Sequence, residues 1–273
     1  MRETLIRGLL PLVLVGLSAS CFEDRMTYGE ALEAVAEAAV SAKGESMTQE
    51  IIEISTDFTL GAAAAEAAEE LRGWLESQIP CSTVSLDGTT VTVDFGDLAD
   101  SCTYNGHTYA GLWAITIQRN EENDVVVDHE WTALSNGDTT LDGTAQVTWG
   151  VDEPTRHVVH AVTWTDAQRT VVASGNRFQQ LLDESAGLAG GIVVDGDRDW
   201  SGENGDWQLD IDHVEMRGQD PVPQAGTYDL ITPDGKSVSL TFERITDDTI
   251  RCTLAAANRS WTFDVTSSGE VSE

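Results

Sequence analysis

Few residues in this 273-residue chain stand at spacings that could do chemistry. His157 and His160, in RHVVH, invite a metal reading. The alternation of Val158, His160, Val162 and Trp164 reads as a strand, however, and residues three apart on a strand point to opposite faces, so they cannot share one ion without a bulge. His129 and His213 each lie beside carboxylates and read as strand residues of a mixed face. The sequence holds no nucleophile elbow, Ser-x-x-Lys pair, HExxH, P-loop or Rossmann glycine fingerprint. Paired carboxylates are common, but among 47 Asp and Glu their abundance says nothing about acid–base work. The expectation is a protein that is not an enzyme.

The sharpest ligand set is acidic. Counting from Asp195, oxygen ligands could come from Asp197, Asp199, Glu203 and Asp206, and clustered oxygens suit calcium. That rhythm resembles an EF-hand loop, with two departures: Trp200 occupies the glycine position and the flanks read as strands. The alternative reading is an acidic strand end and turn with solvated carboxylates, and no cofactor.

The first 21 residues carry the other chemistry. Arg2 and Arg7 precede an apolar run, Gly8 to Gly16, followed by Ser18, Ala19, Ser20 and Cys21. This is the layout of a secretory signal, and the run is shorter than the roughly 20 residues that span a bilayer. Leu17-Ser18-Ala19-Ser20-Cys21 resembles a bacterial lipobox, although Leu17 lies four residues before the cysteine rather than three. The resemblance implies a signal peptide over 1–20 and acylation of Cys21, which would hold the protein to a membrane through its fatty chains. In such lipoproteins an aspartate after the cysteine marks inner-membrane retention; Phe22 there implies the outer membrane, facing the periplasm or the cell surface. Ordinary cleavage, with Cys21 free or disulfide-bonded, is the alternative. With Cys21 acylated, Cys81, Cys102 and Cys252 remain. Cys81 and Cys102 bracket one hairpin and are nearest in sequence, so a Cys81–Cys102 disulfide is expected. Cys252 alternates with Ile250 and Leu254 and reads as a buried thiol.

The chain carries 15 Lys and Arg against 47 Asp and Glu, a formal net charge of −32. Such a surface repels nucleic acid and anionic lipid headgroups. With 41% hydrophobic residues and 8 Trp the chain is not disordered.

The elements that must position these residues fall into two stretches. Residues 21–80 comprise the anchor cysteine, a short tether and a helical segment. Thr27 and Glu30 form a capping box, Leu32, Val35, Ala36, Ala39 and Val40 share a helical face, and Gly44 is a natural stop. Ser46 and Gln49 open a second short helix, and an alanine-rich third runs through Ala64, Ala68, Leu71 and Leu75 to Pro80. Residues 81–273 then alternate with period 2. Asp87-Gly88 is a two-residue hairpin turn that sets Leu86 opposite Thr89 and Val84 opposite Val91. Four strands follow, each carrying one of Trp113, Trp131, Trp149 and Trp164. The stretch from Arg169 to Phe178 is less regular, Leu182 to Gly191 is a loop, and strands resume at Trp207. With no long helix between strands, the expectation is mainly β: an antiparallel meander curled into a barrel, half-barrel or sandwich, with two or three short N-terminal helices packed on it.

The cysteine pattern, the Asp87-Gly88 hairpin and GHTYAG (Gly106 to Gly111) resemble acidic lipoproteins of myxobacteria, a resemblance that implies no activity. Three roles are open: an acyl-anchored envelope protein without enzymatic activity; a periplasmic carrier of lipid or another apolar ligand, with the four tryptophans facing a cavity under a helical lid; and a calcium-dependent surface adhesin.

Overall fold

The computed structural model describes residues 26–56, 63–100, 102–104, 106–150, 155–183, 185–186, 190–266 and 268–272. Cys21 and residues 1–20, which the sequence reading takes as a signal, lie outside them.

Among the described residues two α-helices precede the sheet, α1 (Tyr28–Thr56) and α2 (Ala64–Gln78). The capping box forms as the sequence predicts. The Thr27 amide donates to Glu30 Oε2 at 2.6 Å, and the Glu30 amide donates to Thr27 Oγ1 at 3.3 Å. The expectation of short helices is corrected. No break occurs at Gly44, and α1 is one continuous helix of 29 residues. A glycine costs an interior turn only about 1 kcal/mol, and contacts on both sides of it offset that. The buried stripe of α1 is Ala31, Ala34, Ser41, Met47, Thr48, Ile51 and Ile52, while Leu32 is exposed. Over its first half the helix is thus rotated from the face its larger residues suggest and buries small ones, while its second half buries Met47, Ile51 and Ile52. On α2, Ala67, Ala68, Leu71 and Leu75 are buried. Among the described residues no helix is long and apolar enough to cross a membrane.

Fifteen strands follow: β1 (Thr83–Asp87), β2 (Thr90–Asp94), β3 (Cys102–Tyr104), β4 (His107–Arg119), β5 (Val125–Ser135), β6 (Thr140–Trp149), β7 (Thr155–Thr165), β8 (Thr170–Leu181), β9 (Ile192–Gly202), β10 (Gly205–Met216), β11 (Ala225–Ile231), β12 (Ser237–Thr246), β13 (Thr249–Ala256), β14 (Arg259–Thr266) and β15 (Val271–Ser272). They form one antiparallel sheet in which sequence neighbours pair, except that β2 pairs β4 and β3 attaches to β4 alone. The path begins at β1 and ends at β15, so the sheet is not closed. A barrel and a two-sheet sandwich are both overturned.

The Asp87-Gly88 hairpin forms with a shifted register. Leu86 pairs Val91, Val84 pairs Val93 and Asp87 pairs Thr90, which leaves Gly88 and Thr89 as the loop. Partners shift by two residues, so every side chain keeps its predicted face.

Two matching devices interrupt the regular pleat. In β5, Ala133 takes φ 48° within a bulge, and its amide is held by Asp142 Oδ1 at 2.7 Å. In β10, His213 takes φ 47° within a bulge, and its amide is held by Asp195 Oδ1 at 2.7 Å. Each bulge is faced by a glycine, Gly111 on β4 and Gly226 on β11. A Cβ there would stand 2.2 Å from the Ala133 carbonyl oxygen or 2.3 Å from that of His213. Bulges of this kind bend a strand and increase its twist.

Candidate functional site

Because the strands pair in sequence, one face of the sheet can be read as rows of side chains. One row runs His129, Ala145, His160, Gly175, Arg198, Leu209, Leu230 and Val238 from β5 to β12. The next runs Arg177, Gly196, Ile211, Tyr228 and Leu240 from β8 to β12. From β5 to β9 small residues alternate with large ones in the first row, and each arginine has a glycine on one side, Gly175 beside Arg198 and Gly196 beside Arg177. The His160 ring fills the space over Gly175, where a Cβ would meet its Cε1 at 2.4 Å.

Over β8 to β12 these rows do not close against α1. They leave an apolar cavity of about 580 Å³, within the size range of sites that hold small ligands. Its roof is a stripe of α1, Val35, Ala38, Ala39, Ala42, Ser46, Gln49 and Glu53, spaced as one helical face. Its floor toward β10–β12 is Leu209, Ile211, Leu230, Val238 and Leu240. Toward β8 and β9 the lining becomes polar, with Arg177, Gln179 and Arg198. All three are buried.

Polar contacts hold the roof in place. Arg198 donates to the Ala38 carbonyl at 3.1 Å. Glu37 accepts from Arg169 at 2.6 Å and from Asn204 at 3.2 Å. Arg156 bridges Glu53 at 2.6 Å and donates to Gln179 Oε1 at 2.7 Å, closing the β7–β8 end of the cavity. At the other end of the helix Lys236 pairs Glu30 at 3.3 Å, and Tyr28 lies against Trp261, ring centroids 5.0 Å apart.

Comparison with protein-family models, with curated proteins and with solved structures returns no match. The reading of the site rests on its own chemistry.

The tryptophans do not line this cavity. Trp113, Trp131 and Trp164 are at most 2% exposed in the main core, and Trp149 is partly buried beneath the Arg156 guanidinium, 5.3 Å from the ring centroid. They pack β4–β7, one sheet region away from the apolar gap. His129 is stacked between Trp113 and Trp131 and accepts a hydrogen bond from Trp113 Nε1 at its Nδ1, 3.1 Å away. Burial alone drives its pKa down to about 3, so it is neutral at physiological pH.

The acidic set is not gathered into a loop. Residues 192–202 are strand β9, so Asp195, Asp197 and Asp199 stand about 6.6 Å apart along an extended backbone. Asp197 and Asp199 are exposed, Asp195 is committed to the His213 amide, and Glu203 and Asp206 lie across a turn. Among the described residues no group of three or more His, Cys, Asp or Glu could hold a metal ion. The periodicity that suggested an EF-hand is the two-residue period of a strand. Repulsion from Asp197 adds to desolvation in raising the Asp199 pKa.

Cys81 and Cys102 form the expected disulfide, Cα atoms 5.2 Å apart. Cys252 is buried, and desolvation pushes its thiol up to about 11, an unreactive state. His157 and His160 point to opposite faces: His157 stacks on Phe178, while His160 is buried in the row described above. Sequence reading missed Arg177, Gln179 and Arg198. The available signal was the alternation of Ala173, Gly175, Arg177 and Gln179, which places two polar residues on the inward face of β8.

Proposed function

We propose that this protein is an exported, acyl-anchored binder or carrier of an apolar ligand, without enzymatic activity, and that the ligand occupies the cavity between α1 and β8–β12. The open sheet serves as a half-barrel trough, and α1 serves as its lid. The observation that carries the reading is the 580 Å³ gap with an apolar floor beneath the middle of α1, a helix whose buried residues Ala31, Ala34, Met47, Ile51 and Ile52 and polar contacts at its margins hold it over the sheet. A gap of that size left empty forfeits packing energy. The lid belongs to no ladder of the sheet, so it can shift without breaking one. Export is supported by the disulfide, which persists in oxidising compartments, and by the lipobox-like residues ending at Cys21. The carrier is preferred to the adhesin here because the β9 carboxylates are spread along a strand rather than gathered around one point.

The test is titration of the full chain with the neutral apolar probe N-phenyl-1-naphthylamine. Saturable fluorescence at one site per chain is expected, together with its loss in Ala39→Trp, which fills the roof of the cavity. No saturable binding, or full binding by that variant, defeats the proposal. Anchorage is tested separately: Cys21→Ser should move the protein from the membrane to the soluble fraction, and unchanged fractionation removes the acyl anchor.

A further inference from the structure

The cavity is amphipathic along one direction, and its polar end has a sign. From β9 to β12 the sheet advances about 14 Å, three strand spacings. Along that line the floor passes from Arg198 through Leu209 and Leu230 to Val238, and in the next row from Arg177 past Gly196 through Ile211 and Tyr228 to Leu240. Two guanidinium groups on adjacent strands, on one face, thus stand at one end of an apolar channel.

Cations are scarce in this chain, 15 against 47 acids, and two of them are spent on this wall. A guanidinium stays charged at any physiological pH, and its five donors in a planar fork match a carboxylate or phosphate. A leucine at either position would line a purely apolar cavity at lower desolvation cost. Tyr228 lies farther along the same face, three strands from Arg177; burial pushes its pKa up, and the charges of Arg198 and Arg177 oppose that push.

We infer that the ligand is an anionic amphiphile, an acyl chain ending in a carboxylate or phosphate, with its head at Arg177 and Arg198 and its chain along Leu209, Ile211, Leu230 and Leu240 toward β12. This rests on the apolar-ligand reading and adds the charge and orientation of the occupant. The protein's outer surface is strongly acidic and repels anions, so any selection for them is local to this wall. Neutral amphiphiles of equal length lose the charge-assisted hydrogen bonds that the guanidinium groups supply.

The experiment is displacement of N-phenyl-1-naphthylamine from the full chain by palmitate, by hexadecan-1-ol and by phosphatidylglycerol, each below its aggregation threshold. Palmitate or phosphatidylglycerol should displace the probe at concentrations at least about tenfold lower than the alcohol, a ratio typical of one charge-assisted bond. Which of the two anions is preferred assigns the head as a free carboxylate or a lipid phosphate. Arg177→Met, which leaves the Arg198 contact with α1 in place, should bring anion and alcohol to within about twofold while still binding the probe. Arg177→Lys should restore part of the preference. Equal displacement by palmitate, phosphatidylglycerol and alcohol in the unmodified protein overturns the inference and leaves the apolar cavity standing, as does an unchanged preference in Arg177→Met. Absence of probe binding altogether overturns both readings.

Discussion

His129 makes the stability of this protein depend on pH in a way that can be worked out in advance. Its imidazole is 2% exposed, stacked between Trp113 and Trp131, and accepts the Trp113 indole N–H. Across the sheet its register neighbours are Ile115 and Ala145, and the next titratable group in that row is His160, beyond Ala145. Burial lowers its pKa from 6.5 to about 3. The unfolded chain therefore binds a proton near pH 6.5 that the folded chain refuses until pH 3. The contribution of the neutral ring is fully present above pH 6.5 and is lost as pH falls from 6.5 toward 3. Between pH 7.5 and pH 5.0 that loss is about 2 kcal/mol, rising to about 3 kcal/mol at pH 4.0. Carboxylates elsewhere titrate too, so the measurement is a difference. Urea unfolding, followed by tryptophan fluorescence, is run on the natural protein and on His129→Gln, which keeps an acceptor for the indole N–H. Whatever the gap between them at pH 7.5, it should move by about 2 kcal/mol in favour of the variant at pH 5.0. A gap that stays constant within about 0.5 kcal/mol over this range refutes the argument, because the folded imidazole would then titrate like a solvated one.

Other consequences are more direct. Replacing Cys81 and Cys102 together by serine opens a link across 21 residues and should cost about 3 kcal/mol in urea unfolding; an unchanged midpoint would mean the bond constrains nothing. Gly226→Ala and Gly111→Ala place a methyl against the His213 and Ala133 carbonyls at positive φ, so each should lower stability by more than about 2 kcal/mol, whereas Gly218→Ala, with nothing near its Cβ, should be close to neutral. Glu37→Gln removes the charge that Arg169 holds against α1 and should speed release of N-phenyl-1-naphthylamine severalfold in stopped-flow displacement, with little change in the sheet's own unfolding. Melting with and without chelator should coincide, since the β9 acids form no cage; a calcium-dependent rise would restore the adhesin.

The sheet was legible because its signals are local. Strict alternation marked the strands that became β4 to β7, each carrying its tryptophan, and Asp87-Gly88 marked the turn between β1 and β2. The Thr27–Glu30 box marked the true start of α1. Gly44 misled because the cost of an interior glycine is small and the sheet that offsets it is distant in sequence. At β9 the acids of VVDGDRDW alternate with the inward Arg198 and Trp200, so the pattern was that of a strand, but its outward half was dense enough in carboxylates to mimic an ion-binding loop. Arg177 and Arg198 were invisible for another reason. Their meaning depends on being placed side by side and beneath α1, and no window of sequence holds that juxtaposition. The Trp positions were read correctly as strand residues, but which part of the sheet is left uncovered is a property of helix placement.

The connectivity of this fold has a kinetic consequence. Nearly every ladder joins neighbours in the chain, so the sheet can grow vectorially, hairpin by hairpin, without waiting for remote partners. The contacts of α1 are the exception: Glu37 waits for Arg169 and Asn204, Ala38 for Arg198, and Tyr28 and Glu30 for Trp261 and Lys236, more than 200 residues later. The N-terminal end of α1 therefore completes its contacts only after β14 has been synthesised, so in a growing chain the first helix is the last element to be fully docked.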